Sequence, residues 1–273
     1  MTKNFDINAA ITFIVKQKEK PVYESSAITG MVPKLYFKVE KKKILIKNAR
    51  LLTNLNLDKN GFELHEFSSR FNDKNISKNL HSYKEELKLF LKERFNFKKI
   101  FIFDTTRRSN SINGAYNEDG RRQPAERAHV DYTNSSGPLR AKKILGDKLY
   151  NQAVLNKSRI IQINFWKPLC KKVMSSPLAI ADPSTVENDD LIATDQKFPD
   201  RIGEIYHLAY NKRQTWYWIP QMKDNEILLI KGWDNSNNNN IVKYTPHTSF
   251  NLENQDVKKY PRDSIEARVF MIL

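Results

Sequence analysis

From residue 159 to the last residue, short runs rich in Ile, Val, Phe and Trp alternate with clusters of Pro, Asn, Asp and Ser. This punctuation restricts the fold more than any other feature of the chain. The runs fall at 159–166, 178–181, 205–209, 215–219, 226–230, 247–250 and 265–272, with a polar low-complexity stretch at 235–240 before the sixth. Such runs are short for helices, and their β-branched and aromatic content between turn residues reads as strands. Many short strands with few helices among them imply a sandwich or a closed barrel, and no repeat of solenoid or propeller length is visible. The first half adds helices. Ser82-Tyr83-Lys84-Glu85 has the pattern of a capping box, and Leu87, Phe90, Leu91 and Phe95 follow at helical spacing, so a helix is expected to run to about Arg94. A buried strand is expected at 99–103, and a second helix at 138–155 with Pro138 in its first turn. Residues 35–39 and 43–46 flank a charged turn and read as a hairpin. The expected fold is mainly β with flanking helices, a jelly roll. No linker interrupts it, so it reads as one domain: a core at 111–273, with 1–110 as an N-terminal elaboration packed on the barrel.

The 273 residues are 40% hydrophobic and 11% aromatic, which suits a packed core and not a disordered chain. No run approaches the roughly 18 apolar residues of a membrane span. The sequence around Phe5 and Asp6 lacks the apolar segment of a secretory signal. A single cysteine, Cys170, excludes an internal disulfide framework and any multi-cysteine zinc or iron–sulfur site. A reducing cytoplasm is the expected home. Lys and Arg total 46 against 31 Asp and Glu, a formal charge of +15 that favours anionic partners. The lysines are scattered, as in Lys41-Lys42-Lys43, Lys98-Lys99 and Lys258-Lys259, and a solvated surface accounts for them. The run Trp216-Tyr217-Trp218 could stack on nucleic acid, but on a strand at least one of the three rings must face the core.

Arg127-Ala128-His129-Val130-Asp131-Tyr132 carries the chemistry. On a strand, His129 and Asp131 share a face with Cα atoms roughly 6.5 Å apart, so an imidazole and a carboxylate can meet one cation. A histidine from another strand would complete a two-His-one-carboxylate face that leaves positions open for a co-substrate and O2. The candidates are His207, whose neighbours are apolar or aromatic, and His247, which follows the polar loop at the mouth of a strand. His247 is the better placed of the two. Further on, Arg262-Asp263-Ser264 sets a guanidinium and a hydroxyl on one face of an extended chain, a pair able to take a carboxylate.

Taken in order, Arg127 to Tyr132, Ile163 to Leu169, Pro177-Leu178-Ala179 with Asp182, Gln214 to Tyr217, Asp224 to Lys231, His247 and Arg262 to Arg268 form a recognisable series. Asn48-Ala49-Arg50, Asp58 to Phe62 and Phe103-Asp104 with Arg107 extend it upstream. The series resembles the gibberellin-desaturase-like and cephamycin-methoxylation-related branch of Fe(II)/2-oxoglutarate dioxygenases, found in secondary metabolism, and covers residues 33–273. The resemblance implies a double-stranded β-helix (cupin-like) and iron on His129, Asp131 and His247. It also implies 2-oxoglutarate held by an arginine, with O2 as the second co-substrate. Arg262 with Ser264 is the nearest match for that arginine, and Arg268 on the same strand face is the alternative. Asn164 and Trp166 share a strand face as candidate pocket walls, together with Arg127. The offset of fifteen from His247 to Arg262 exceeds the spacing usual in the wider superfamily, and the Asn-rich stretch at 235–240 is an insertion. The expected partner is a small, anionic substrate, with neither nucleic acid nor membrane, and a homodimer is compatible with the sequence. A cupin-like metalloenzyme that does without 2-oxoglutarate is the alternative, favoured if Arg262 stands far from the metal.

Overall fold

The computed structural model describes residues 5–30, 32–118 and 120–273. Residues 1–4, part of the stretch read as lacking a secretory signal, lie outside it. The strands, in chain order, are β1 (Ile7–Ile14), β2 (Val22–Glu24), β3 (Lys34–Leu35), β4 (Val39–Asn48), β5 (Phe62–Glu66), β6 (Lys99–Ser109), β7 (Ala115–Asn117), β8 (Gly120–Arg122) and β9 (His129–Val130). They continue as β10 (Ile160–Pro168), β11 (Leu178–Ala181), β12 (Leu191–Lys197), β13 (Ile202–Leu208), β14 (Trp216–Trp218), β15 (Glu226–Asp234), β16 (His247–Ser249) and β17 (Asp263–Ile272). The helices are α1 (Ser26–Thr29), α2 (Leu80–Arg94), α3 (Ser136–Leu145) and α4 (Asp147–Leu155).

Among the described residues these strands form a ten-stranded sheet, β1-β4-β14-β11-β16-β9-β13-β12-β2-β3, and a five-stranded sheet, β5-β15-β10-β17-β6, with β7-β8 as a separate ribbon. The small sheet is apolar on its outer face, where Ile163, Phe165, Leu229, Ala267 and Val269 pack against Tyr83, Leu87, Phe90 and Leu91 of α2. Burying four such side chains at roughly 1.5–3 kcal/mol each holds that helix down. The inner face opposes the large sheet and changes character along its length. One end is apolar, with Phe62, Trp166, Leu228 and Ile230 against Ile180. The other packs Ile160, Trp233 and Phe270 against Tyr132 and α3. Between them the inner face turns polar and charged, and the site lies there. The large sheet places Ile11, Ile46, Trp216 and Trp218 in a further apolar cluster, so the aromatic run of β14 is packing surface. The arrangement is the expected jelly roll, and strands from before residue 110 enter both of its sheets.

Several local expectations change. The hairpin expected at 35–39 and 43–46 does not form, because 39–48 is one strand, paired with β1 over 39–46 and with β14 at its end. Its charged residues alternate between faces and leave Lys41 and Lys43 exposed, so a run read as a turn fits a strand with one wet side. Helix α2 starts at Leu80, two residues before the capping-box serine, and Glu85 pairs with Lys88 at 2.6 Å instead of closing the box. The helix expected at 138–155 is two helices broken at Gly146, where φ is +82°. The strand expected at 99–103 runs on to Ser109.

A buried ionic cluster ties the loop before β5 to β15. Lys231 Nζ, fully buried, donates to Asp234 at 2.9 Å and to Asp58 at 2.8 Å, and Arg159 reaches both carboxylates. The bonds from Arg159 and Lys231 outweigh burial and hold the Asp58 carboxyl down at about 2. Its folded value lies below its ordinary 3.8, so its contribution to stability is complete above that ordinary value and fades as pH falls towards 2. Asp234→Ala leaves Lys231 buried with a half-exposed partner, and a loss of about 3 kcal/mol in denaturant unfolding is expected. The double change Lys231→Met with Asp234→Leu should recover most of that loss. A cost below about 1 kcal/mol for the single variant would show that the cluster does not hold the loop.

Candidate metal centre

Three histidines stand in register across neighbouring strands: His207 of β13 opposite His129 of β9, and His129 opposite His247 of β16. Cross-strand partners share a face, so all three project from one side of the large sheet. Only two of them meet a carboxylate. Asp131, just beyond β9, brings Oδ1 to 3.7 Å from His129 Nε2, and the His129 and His247 rings lie 4.7 Å apart. The ligand atoms of His129, Asp131 and His247 all fall within 4.8 Å of one another, and no other such group of three forms among the described residues. His207 lies on the far side of His129, packed between the rings of Tyr23 and Phe37, and accepts from Arg127 Nε at 3.3 Å.

The backbone sets which ring nitrogen faces the centre. His129 Nδ1 donates to the Arg127 carbonyl at 2.7 Å, and His247 Nδ1 donates to the Thr245 carbonyl at 3.1 Å. A carbonyl only accepts, so each Nδ1 carries the proton and each Nε2 keeps its lone pair. Burial, reinforced by His247, pushes His129 down to about 3, so the ring is neutral over the physiological range. Asp131 is oriented from behind. Its Oδ2 accepts from Asn164 Nδ2 at 2.5 Å and faces Arg268 Nε at 3.5 Å. Burial works against its charge, but Arg268 opposite it prevails and holds the carboxyl well below the usual range. Asn164 is in turn fixed by Gln162 Nε2 at 2.8 Å. A side chain at Gly232 would overlap the Gln162 amide, which explains a glycine in the middle of β15.

Around the triad runs a cavity walled by Arg108, Trp166, Leu178, Ser249, Arg262, Glu266 and Arg268, among others. Arg268 is committed to protein carboxylates, donating to Asp104 at 2.5 Å, forming an ion pair with Glu266 at 2.6 Å and facing Asp131. Arg262 is not. It is 1% exposed, bonds only neutral oxygens (the Ser176 carbonyl at 2.5 Å and Ser249 Oγ at 3.2 Å), and lies 5.4 Å from the Trp166 ring. Its Nε has no partner, and burial together with the neighbouring Arg108 pushes the guanidinium down to about 9. A dry guanidinium without a carboxylate, facing the same cavity as the triad, is built for an anion that comes from outside.

The expected partnership of Arg262 with Ser264 is not the one found. The Ser264 hydroxyl donates to the Arg108 carbonyl at 3.3 Å, and Ser249 supplies the hydroxyl beside Arg262. Ser249 follows His247 by two residues and so shares its strand face, a signal present in the sequence but not used. Arg127 does not wall the cavity: its guanidinium lies over the Tyr23 ring at 5.4 Å, and its part in the centre is the carbonyl that fixes His129. Trp166 does wall the cavity, whereas Asn164 acts on Asp131. Glu266, Asp104 and Arg108 were missed because alternation along β6 and β17 does not reveal that their inner faces carry charge. The donor set of two Nε2 atoms and one carboxylate oxygen fits a divalent ion that keeps open positions towards the cavity, as Fe(II) does in oxygenases.

The chain matches the family model described as Oxidoreductase/YMDC permease-like domain over residues 11–272 and belongs to that family. Among curated proteins it is 32% identical over 151 residues to the alpha-ketoglutarate-dependent dioxygenase tstK of Talaromyces stipitatus, covering 55% of this chain and 53% of tstK. It is 28% identical over 270 residues to the hydroxylase/desaturase CTB9 of Cercospora beticola, covering 89% of this chain and 80% of CTB9. The chain thus spans about half the length of tstK, and homologues of this kind are fungal Fe(II)/2-oxoglutarate-dependent dioxygenases, hydroxylases and desaturases. Among solved structures, the iron and alpha-ketoglutarate-dependent endoperoxidase NvfI superposes with a TM-score of 0.82 over 98% of both chains at 20% identity, a likeness of fold. No helix among the described residues is long and apolar enough to cross a membrane.

Four alanine variants separate the histidine roles. His129→Ala, Asp131→Ala and His247→Ala should each lower bound Fe(II) at least tenfold in metal analysis of the purified protein, with melting temperature little changed. His207→Ala should keep iron and melt lower, by about 2–4 kcal/mol for a buried ring lost from an aromatic nest. Iron lost from His207→Ala but retained by His247→Ala would place the distal ligand wrongly.

Proposed function

We propose that the protein is a non-haem Fe(II)/2-oxoglutarate-dependent oxygenase that oxidises a small, anionic secondary metabolite by hydroxylation, desaturation or cyclisation. The observation that carries this reading is the joint presence, around one cavity, of a two-His-one-carboxylate face and a buried arginine without a carboxylate. Residues 111–273 form the catalytic core in this reading, with the strands before 110 as its elaboration. His129, Asp131 and His247 hold the iron, and Arg262 with Ser249 receives the far carboxylate of 2-oxoglutarate. When bound, iron, 2-oxoglutarate and O2 together supply an oxidant strong enough to take hydrogen from carbon, with succinate and CO2 as co-products. The chain's own work is placement. The carbonyls of Arg127 and Thr245 keep both imidazoles turned metal-ward, and Asn164 and Arg268 keep Asp131 from swinging away. Trp166 and Leu178 bound the cavity with apolar surface, which limits water at the reacting centre. A reducing cytoplasm suits both ferrous iron and the lone Cys170.

Under anaerobic conditions, about one Fe(II) per chain and a weak visible charge-transfer band on adding 2-oxoglutarate are expected. Arg262→Ala should raise the 2-oxoglutarate concentration needed for half that band by about 100-fold, ~3 kcal/mol for a charge-assisted pair lost in a dry site. Arg268→Ala, which strips Asp131, Asp104 and Glu266 of their shared partner, should lower iron affinity and stability instead. A larger shift in 2-oxoglutarate affinity from Arg268→Ala than from Arg262→Ala would reverse the assignment, and iron without any band would count against the co-substrate altogether.

A further inference from the structure

Three arginines wall the cavity, and the structure gives them different employment. Arg268 is saturated by Asp104, Glu266 and Asp131. Arg262 lies at the dry end against Trp166, with neutral oxygens as its only bonds. Arg108 remains. It sits on β6 opposite Ser264, while Asn110 two residues on bonds the backbone of Arg262, so the two guanidiniums come from diagonal positions on one inner face. Its single side-chain bond goes to the Gln123 carbonyl at 2.8 Å, and no carboxylate forms an ion pair with it among the described residues. Burial disfavours its charge, and the carboxylate that offsets this most, Glu266, is already ion-paired with Arg268. Two uncommitted guanidiniums side by side repel one another, so the cavity as it stands lacks negative charge at two places.

On the reading above, 2-oxoglutarate offers one free carboxylate, and Arg262 takes it. We propose that Arg108 is the anion anchor for the oxidised substrate, and that this substrate carries a carboxylate. Position favours this division. Arg262 is sealed at 1% exposure, whereas Arg108 is half-buried beside Gln123 and Ala125, which are half-buried too, so its ligand enters from the solvent side. A planar guanidinium suits a single carboxylate held bidentately, and such a grip presents the rest of the molecule to the iron in a fixed orientation. Arg108 is thus a specificity residue separate from the co-substrate's anchor.

The test uses the full chain loaded anaerobically with Fe(II) and saturating 2-oxoglutarate, and a series of straight-chain acids from butanoate to dodecanoate beside their methyl esters. Acids should shift the charge-transfer band without bleaching it, and the esters should need at least roughly tenfold higher concentration to do so, as expected for loss of a charged bond. In Arg108→Met that preference for acid over ester should vanish while the half-saturating 2-oxoglutarate concentration moves less than threefold. Arg108→Lys should restore part of the preference, and thermal melting and iron content confirm that each variant is folded and loaded. Esters equal to acids in the unaltered protein, no shift with any acid, or bleaching that marks competition with 2-oxoglutarate would each overturn the proposal. So would a rise in the 2-oxoglutarate requirement of Arg108→Met comparable to that of Arg262→Ala, because Arg108 would then belong to the co-substrate clamp. Absence of any band before acids are added indicts the oxygenase reading and not Arg108, so the two failures are distinct.

Discussion

Two backbone carbonyls, those of Arg127 and Thr245, decide what the space between the sheets can do. Each accepts the Nδ1 proton of the histidine two residues ahead of it and so turns a lone pair towards the centre. A histidine without that bond is free to present either nitrogen, and a ligand set built on it would lose definition. Much of the fold can be understood as holding these two oxygens in place. Ala128 N donates to Thr12 of β1, and its carbonyl accepts from Leu208 of β13, so the segment carrying Arg127 is clamped from both sides. Thr245 bonds Lys231 through its amide and Gly61 through its hydroxyl. Gly61 has φ +76°, and any side chain there would overlap the Thr245 hydroxyl, so the glycine serves both the turn and the close approach.

The second constraint is electrostatic. Sandwiches of this kind fill their interior with apolar side chains, but here Asp104, Arg108, Asp131, Arg262, Glu266 and Arg268 all stand on or near the inner face. Desolvated charges are tolerable only when paired, and a partly paired network costs more than an apolar core. The carboxylates meet the condition, and they do so mainly through Arg268, which forms ion pairs with two of them and faces the third. The surplus is therefore cationic. A structure that matches its acids and leaves two guanidiniums over is arranged for ligands that carry negative charge. The apolar packing of α2 on the opposite face of the same sheet offsets the cost and keeps β10 and β17 rigid under the site.

How much of this could be read from the chain alone follows from what is local. His129 and Asp131 were legible because a spacing of two on an extended segment fixes a shared face, and His247 because it opens a strand after a long polar loop. Arg262 was legible as a guanidinium but not its hydroxyl partner: the sequence offers Ser264 two residues along, while the fold brings Ser249 from another strand. The same limit hid the row of three histidines, since register between β13, β9 and β16 is set by pairings distant in sequence. Most strand positions after residue 159 were found nearly in place, because apolar runs bounded by turn residues are strong local signals, whereas the more polar β12 at Leu191–Lys197 was missed. The charged residues 40–42 inside β4 were misread as a turn, because an exposed strand face and a charged loop have the same composition.

The Asn-rich stretch at 235–240 gains meaning from the same comparison. By composition it is an idle insertion, yet it begins where Asp234 closes the ionic cluster and leads to the segment that delivers His247. Asn235 bonds Ile160 through both amide and side chain, and Val242 N donates to the Asp58 carbonyl at 2.9 Å. Tyr244 packs on Tyr206 of β13 with ring centroids 5.6 Å apart. The loop is therefore fastened at both ends and twice in between, and its last fastening is Thr245, whose carbonyl fixes the His247 ring. Lys231 joins these facts: its ammonium binds Asp58 and Asp234 while its own carbonyl receives Thr245. Disturbing the ionic cluster should thus be felt at the metal-facing nitrogen of His247, through a backbone path and without any contact between the cluster and the cavity. A buried ion pair is weak as a source of stability, but it has a strict geometry, and here that geometry is handed on to the distal histidine.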